Sequence, residues 1–206
     1  PDLDFKVSKV ESNDSIIIRI NGFDYITNIT GDYNAYNITA AVTTALKMGI
    51  SPETIQRGIS RLDVKNGRME NFHYKDKKIV LNLAKNPAGF NVSLDTMKKQ
   101  KEVKALALFL NDTEFDGIDI SWIWDADFEQ IKDMNIEHVY CGGTRAEELA
   151  LRLHYAGFDE TKITKKKNQE KLVEKAIDEH QIIFMIPNYT MLAPVRKNIV
   201  KKVGRK

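Results

Sequence analysis

The sequence predicts an α/β protein with a Rossmann-like, mostly parallel sheet covered by helices on both faces. Three observations predict it. From residue 78 onward, short and almost wholly apolar runs alternate with longer stretches of helical spacing, as buried parallel strands and their crossover helices do. Each apolar run ends in polar and glycine-containing sequence, "NLAKNP", "LNDTEFDGID", "CGGTR" and "PNYT", where such sheets gather ligands at the carboxyl ends of strands. The first thirty residues follow a different rule, with period-two alternation broken at Asn21-Gly22.

Taken in order, residues 5–10 and 15–29 ("SIIIRING", "FDYITNIT") read as antiparallel strands with a turn near Asn21-Gly22. "DYNAYNITAAVTTALKMG" is helical, because Ile38, Ala41, Val42, Ala45 and Leu46 recur at helical spacing and Gly49 stops it. A second helix follows in "SPETIQRGISRL", with Ser51 as N-cap and Pro52 at the first helical position. "NGRMENF" is a linker. "KIVLNLA" (78–84) is a buried strand, "AGFNVSLDTMKKQ" a helix, and "VKALALFLND" (103–112) a second buried strand. "HVYCGG" (138–143) is a third strand, feeding the amphipathic helix "TRAEELALRLHYAGF". "NQEKLVEKAIDEH" is a helix, "IIFMIPN" a strand, and a last helix starts near Met191.

Composition excludes several classes. A hydrophobic content of 42% with 29% charged residues is that of a globular protein with a real core. A net charge of +2 argues against bulk nucleic-acid binding, and the basic end "VRKNIVKKVGRK" is read as a solvated helix face. The single cysteine, Cys141, cannot form an internal disulfide and fits a reducing compartment. No apolar run is long enough to span a membrane. The histidines at 73, 138, 154 and 180 have no metal spacing, so no metal site is expected. A start at Pro1, running directly into strand-like sequence, reads as a fragment.

The segment "DGIDISWIWDADFE" (116–129) is the most unusual, with Asp116, Asp119, Asp125, Asp127 and Glu129 around Trp122 and Trp124. A calcium loop starting at Asp112 fails, because its twelfth position is Ile123 rather than glutamate. Asp125 or Asp127 capping a short helix over packed tryptophans accounts for the last three acids but leaves Asp116 and Asp119 unexplained. Asn34 and Asn37, three apart at a helix start, offer the donor and acceptor that a purine edge requires, or else cap and solvate that helix. Arg68 is a plausible phosphate fork, and Lys85 with Asn86 a polyphosphate contact at a strand end. Cys141 lacks a histidine partner in sequence and is not a candidate nucleophile.

"GDYNAYNITAA", "NGRMENF" and "LNLAKNPAGFN", in that order and spacing, resemble the end of the central domain and the start of the terminal domain of Mur ligases. "LALFLNDTEFDGIDISWIWDADFE" resembles the MurT branch of that family, and the likeness extends over essentially the whole chain. The resemblance implies residues 1–64 as the end of an ATP-binding central domain and 65–206 as an α/β terminal domain that docks a glutaminase. It implies ATP and Mg as cofactors, with Asn34, Asn37, Arg68 and Lys85 binding ATP. The implied reaction is ATP-dependent amidation of the D-glutamate α-carboxylate in the stem peptide of lipid II to D-isoglutamine. The ammonia comes from a class I glutamine amidotransferase partner, whose catalytic cysteine and histidine are completed by Asp119, with Asp116 as the fallback. It implies a cytoplasmic location, up to the inner membrane face where lipid II is found.

The departures are specific. No G-x-x-x-x-G-K-[ST] phosphate loop and no four-cysteine zinc ribbon occur in the sequence. Both lie upstream in the family, so zinc is expected only there, and the chain alone is expected to be inactive. Asn82-Leu83-Ala84-Lys85-Asn86-Pro87 replaces the usual D-Y-A-H-N-P of that loop. The competing expectations are an unpartnered Mur-type ligase adding an amino acid, and a non-catalytic domain whose acidic, aromatic loop only docks.

Overall fold

The computed structural model describes residues 4–12, 15–29, 32–62 and 67–204, which fall into two compact units divided between residues 64 and 65. The division itself lies outside the described residues.

In the first unit, β1 (Val7–Ser12), β2 (Ile16–Ile20) and β3 (Phe23–Thr27) form an antiparallel sheet in sequence order. Alternation is sharp in β2, where Ile16, Ile18 and Ile20 are buried and the residues between them are not. Asn21 and Gly22 both have positive φ, the backbone a two-residue hairpin turn needs. Helices α1 (Asp32–Lys47) and α2 (Pro52–Ile59) cover the sheet. Ile38 and Val42 of α1 and Ile55 and Ile59 of α2 pack on the isoleucines of β2 and on Tyr25. Of the apolar positions expected to face this core, Ala41 is exposed. Ser51 caps α2 as expected, its hydroxyl accepting from Thr54 N–H.

The second unit is a six-stranded sheet built from β4 (Glu70–Tyr74), β5 (Lys77–Leu81), β6 (Lys104–Phe109), β7 (Ile136–Gly142), β8 (Ile163–Lys166) and β9 (Ile182–Pro187). Their order is β4-β5-β9-β6-β7-β8, parallel throughout except for β4. The two outermost strands, β4 and β8, correct the sequence reading, which took one as linker and passed over the other. Both are edge strands with no buried residue, and their polar composition suits an unpaired edge better than an apolar pattern would.

Helices α6 (Gln169–Glu179) and α7 (Tyr189–Val203) cover one face, where Leu172, Val173, Ala176, Met191, Val195 and Ile199 meet alternate residues of the central strands. The intervening residues, among them Leu108, Leu110 and Ile186, face the other side. There they meet Phe90 of α3 (Pro87–Lys99), Trp122 of the one-turn helix α4 (Trp122–Asp125), and Leu149 of α5 (Ala146–Tyr155). Phe90 stacks on Phe128 at 4.4 Å and meets Trp122 edge-on at 6.3 Å. The segment that carries the acidic residues is therefore pinned underneath by aromatic packing.

Candidate functional site

Because β5, β9, β6 and β7 run parallel, their carboxyl ends share one edge of the sheet. All four polar segments singled out in the sequence emerge there. The 110–121 segment, leaving β6, is tied to its neighbours by a continuous hydrogen-bond network. Asn188, after β9, is buried and donates to the Asn111 carbonyl (2.7 Å), while its own N–H reaches the Phe109 carbonyl (2.9 Å). Asn111 in turn accepts from Thr144 N–H (2.9 Å) and donates to the Thr190 hydroxyl (3.0 Å). Asp112 accepts from the Thr144 hydroxyl and pairs with Arg145, each at 2.7 Å, and these two partners hold its carboxyl below the ordinary value. Gly143, with φ +94°, lets β7 leave against the end of β6; a Cβ there would lie 2.2 Å from the Leu110 carbonyl oxygen.

The acids of this segment have different surroundings. Both Asp116 oxygens are bound: Thr190 N–H donates to one (2.8 Å), and the hydroxyls of Thr190 (2.5 Å) and Thr113 (2.7 Å) donate to the other. Asp119 is exposed, and its Oδ1 accepts from Ser121 N–H at 2.7 Å. Hydrogen bonds from Ser121 hold its carboxyl below the usual range, so it is ionised at neutral pH. Asp125 and Asp127 do not cap as expected. Asp125 ends α4 rather than starting it, and Asp127 binds the Asn91 amide (2.9 Å) without a side-chain cap bond. Glu129 pairs with Arg152 (2.8 Å), which lowers its pKa. In the loop and against it, Phe115, Ile118, Trp124 and Tyr155 are exposed apolar residues, the last two meeting edge-on at 5.7 Å.

Arg152, on α5, is the residue that the sequence reading missed. Its side chain is almost fully buried, with Nε–H donating to the Ile123 carbonyl and Nη2–H to the Ala126 carbonyl, each at 2.9 Å. The guanidinium also lies over the rings of Phe128 (4.9 Å) and Trp124 (5.4 Å). Nothing in the helical pattern of "AEELALRLHY" marks an inward-facing arginine, since its acceptors come from another part of the chain.

The backbone on either side of Arg68 is tied to the segment between β5 and Lys85. Gly67 accepts from Leu83 N–H (2.6 Å), and Met69 N–H donates to buried Asn82 (3.0 Å), so Arg68 is held beside the segment leading to Lys85. Both cations are exposed. Asn86 caps α3, accepting from Gly89 N–H at 2.8 Å, which leaves Lys85 as the polar side chain free of that duty. In the first unit, Asn37 projects from α1 as an exposed amide and Asn34 is half-buried. Cys141 is fully buried, and burial drives its thiol pKa far up, so it is no nucleophile. Among the described residues, no group of three or more histidine, cysteine or carboxylate side chains is placed to hold a metal ion.

Comparison with known proteins places this arrangement. The MurT ligase C-terminal family matches residues 83–192, which include the acidic segment and its anchors. The chain is 39% identical over 195 residues to the MurT subunit of lipid II isoglutaminyl synthase (glutamine-hydrolyzing) from Staphylococcus aureus, covering 95% of this chain and 44% of that protein. It is 36% identical over 206 residues to the MurT subunit from Streptococcus pneumoniae, covering 98% of this chain and 46% of that one. The chain thus spans under half the length of these curated relatives. Among solved structures, MurF from Acinetobacter baumannii superposes with a TM-score of 0.74 at 18% identity, over 98% of this chain and 46% of that one, which carries the fold alone. The chain belongs to the MurT ligase family, with the α/β fold of Mur ligase terminal domains.

Proposed function

We propose that the chain is part of the ligase subunit of a lipid II isoglutaminyl synthase, and that its second unit both docks a class I glutaminase and completes that partner's active site. The observation that carries this reading is the contrast between Asp119 and its neighbours. Asp112, Asp116, Asp127 and Glu129 each bind side chains from distant parts of the chain, whereas the Asp119 carboxylate, exposed and ionised, accepts from Ser121 two positions on and is flanked by the exposed apolar residues Phe115 and Ile118. An exposed apolar rim around an exposed, ionised acid suits a protein partner that brings a histidine to it.

In this reading the partner supplies the cysteine and histidine, and Asp119 orients the imidazole and stabilises the imidazolium formed as the thiol loses its proton. Ammonia released from glutamine then attacks the phosphorylated α-carboxyl of D-glutamate and displaces inorganic phosphate, leaving D-isoglutamine. Bound ATP supplies the phosphoryl group that makes that carboxyl reactive. Arg68 and Lys85, both exposed on segments joined by hydrogen bonds near the end of β5, fit phosphate oxygens. Asn37 of the first unit, with Asn34 near it on α1, fits the adenine edge. The described residues offer no three-ligand set for Mg, so none of them is assigned to it.

The test is to express the full-length subunit with a class I glutaminase. Co-purification, together with glutamine-dependent conversion of the stem-peptide glutamate to its amide by mass spectrometry, supports the reading. A stable protein that ligates an amino acid with no glutaminase present overturns it.

A further inference from the structure

We infer that Arg152 is a positioning residue for the Asp119 carboxylate, an inference that rests on the role proposed for Asp119. Asp119 itself lies in an exposed stretch that has little reason to hold one geometry. It is fixed from both sides. Upstream, Asp116 ties the loop to Thr190 at the start of α7. Downstream, Ser121 N–H binds Asp119, and Ser121 directly precedes α4, so the orientation of α4 sets that of the carboxylate.

A helix of four residues cannot hold itself in place, because one turn makes too few hydrogen bonds to offset the ordering of its backbone. The carbonyls of Ile123 and Ala126 are satisfied instead by Arg152 from α5. Glu129 balances the guanidinium charge, and Trp124 and Phe128 close around it. None of these bonds reaches Asp119, so Arg152 acts by placing the acid rather than by changing its charge. The planar fork is essential to that action: it reaches two carbonyls and a carboxylate from three separate nitrogens, whereas the three donors of an ammonium all radiate from one.

The experiment uses the full-length subunit assembled with its glutaminase. In Arg152→Lys, we expect kcat for glutamine hydrolysis to fall tenfold to about a hundredfold, as misplacement of a catalytic group does. KM for glutamine should stay within about twofold, because the partner binds the substrate, and amidation driven by added ammonium should persist. Hydrogen exchange should rise at the amides of residues 121–126 while those of β6, β7 and β9 keep wild-type protection. Glu129→Gln keeps both carbonyl bonds but removes the counter-charge of the buried guanidinium, so its loss of hydrolysis should be smaller than that of Arg152→Lys. Normal hydrolysis by the assembled Arg152→Lys complex overturns the inference. So does loss of protection throughout the sheet, or loss of ammonium-driven amidation, since either makes Arg152 a general folding residue. Asp119→Asn is run in parallel: if that variant hydrolyses glutamine normally, it is the proposed role of Asp119 that fails.

Discussion

The phenol of Tyr140, wholly buried in β7, lies 2.7 Å from Nε2 of His180 at the end of α6. The same oxygen donates to Glu179 at 2.7 Å, and His180 Nδ1 is 2.6 Å from Glu137. Burial and Glu179 push the phenol pKa far up, so it keeps its proton and stays a donor at every accessible pH. One side chain thus joins the end of a helix to the middle of the sheet.

Tyr140→Phe removes that junction without changing the shape of the core. It leaves a buried imidazole nitrogen unpaired, which costs about 1–3 kcal/mol. We expect urea unfolding of the second unit to shift by that amount, while glutamine hydrolysis and ATP binding remain unchanged. A stability within experimental error of wild type would count against the junction.

His138 supplies a pH dependence. Its ring lies 4.6 Å from Tyr140, and its Nε2 is within 2.8 Å of the Thr164 hydroxyl on edge strand β8. Burial, reinforced by His180 and Lys175, lowers its pKa below the ordinary imidazole value of 6.5. With the folded pKa depressed, the unfolded chain binds more protons as the medium acidifies. The stabilising contribution is therefore fully present above the unfolded pKa of about 6.5 and is lost as pH falls through the folded value. His138→Gln keeps a hydrogen-bonding side chain without a titration. Its urea midpoint should vary less between neutral pH and pH 5 than that of wild type, and an identical pH slope would remove His138 as the source.

What the sequence made legible was local. The Asn21-Gly22 turn, the Ser51-Pro52 helix start and the apolar central strands each depend on residues a few positions apart, and each is found. The edge strands β4 and β8 were not legible, because half-exposed polar strands lack a pattern that separates them from loops. Within the candidate site, the polar ends of the strands could be located, but not which acid is held in place. Asp116 and Asp119 look alike in sequence, and the difference between them is Thr190, 74 positions from Asp116. Arg152 was hidden for the same reason, since its carbonyl acceptors lie 29 and 26 positions away. The expectation that Asp125 or Asp127 caps a short helix failed because α4 starts at Trp122, ahead of both, and Asp127, which does precede the 3-10 turns at Phe128–Asp133, makes no side-chain cap bond.

The nucleotide assignment can be tested at Asn37. As an exposed amide on α1, it has both a donor and an acceptor to offer a purine edge. Losing that contact leaves atoms of the bound base unpaired, at about 1–3 kcal/mol. Asn37→Ala in the full-length subunit should therefore weaken ATP binding about tenfold or more by calorimetry. Because the side chain is exposed, Tm should hold. Unchanged ATP affinity would refute the assignment.

The decisive substitution is Asp119→Asn, set against Asp116→Asn. Asparagine is nearly isosteric with aspartate but neutral, and it can turn an amide donor toward a histidine that needs an acceptor. At Asp119 the Ser121 N–H bond to Oδ1 can survive the change, so the loop should keep its shape while losing its charge. Glutamine hydrolysis should then fall by orders of magnitude, as it does when the orienting acid of other triads is neutralised. Binding of the glutaminase and amidation from added ammonium should persist. Asp116→Asn should act differently. Its carboxylate accepts from Thr190 and Thr113, so an amide nitrogen there faces donors and loosens the loop. Exchange at the amides of residues 113–119 should rise, and the loss of hydrolysis should be smaller than at Asp119. The reverse order, with hydrolysis abolished at Asp116 and intact at Asp119, assigns the role to the wrong carboxylate. If neither substitution matters in an intact complex, the partner's histidine is oriented from within its own chain.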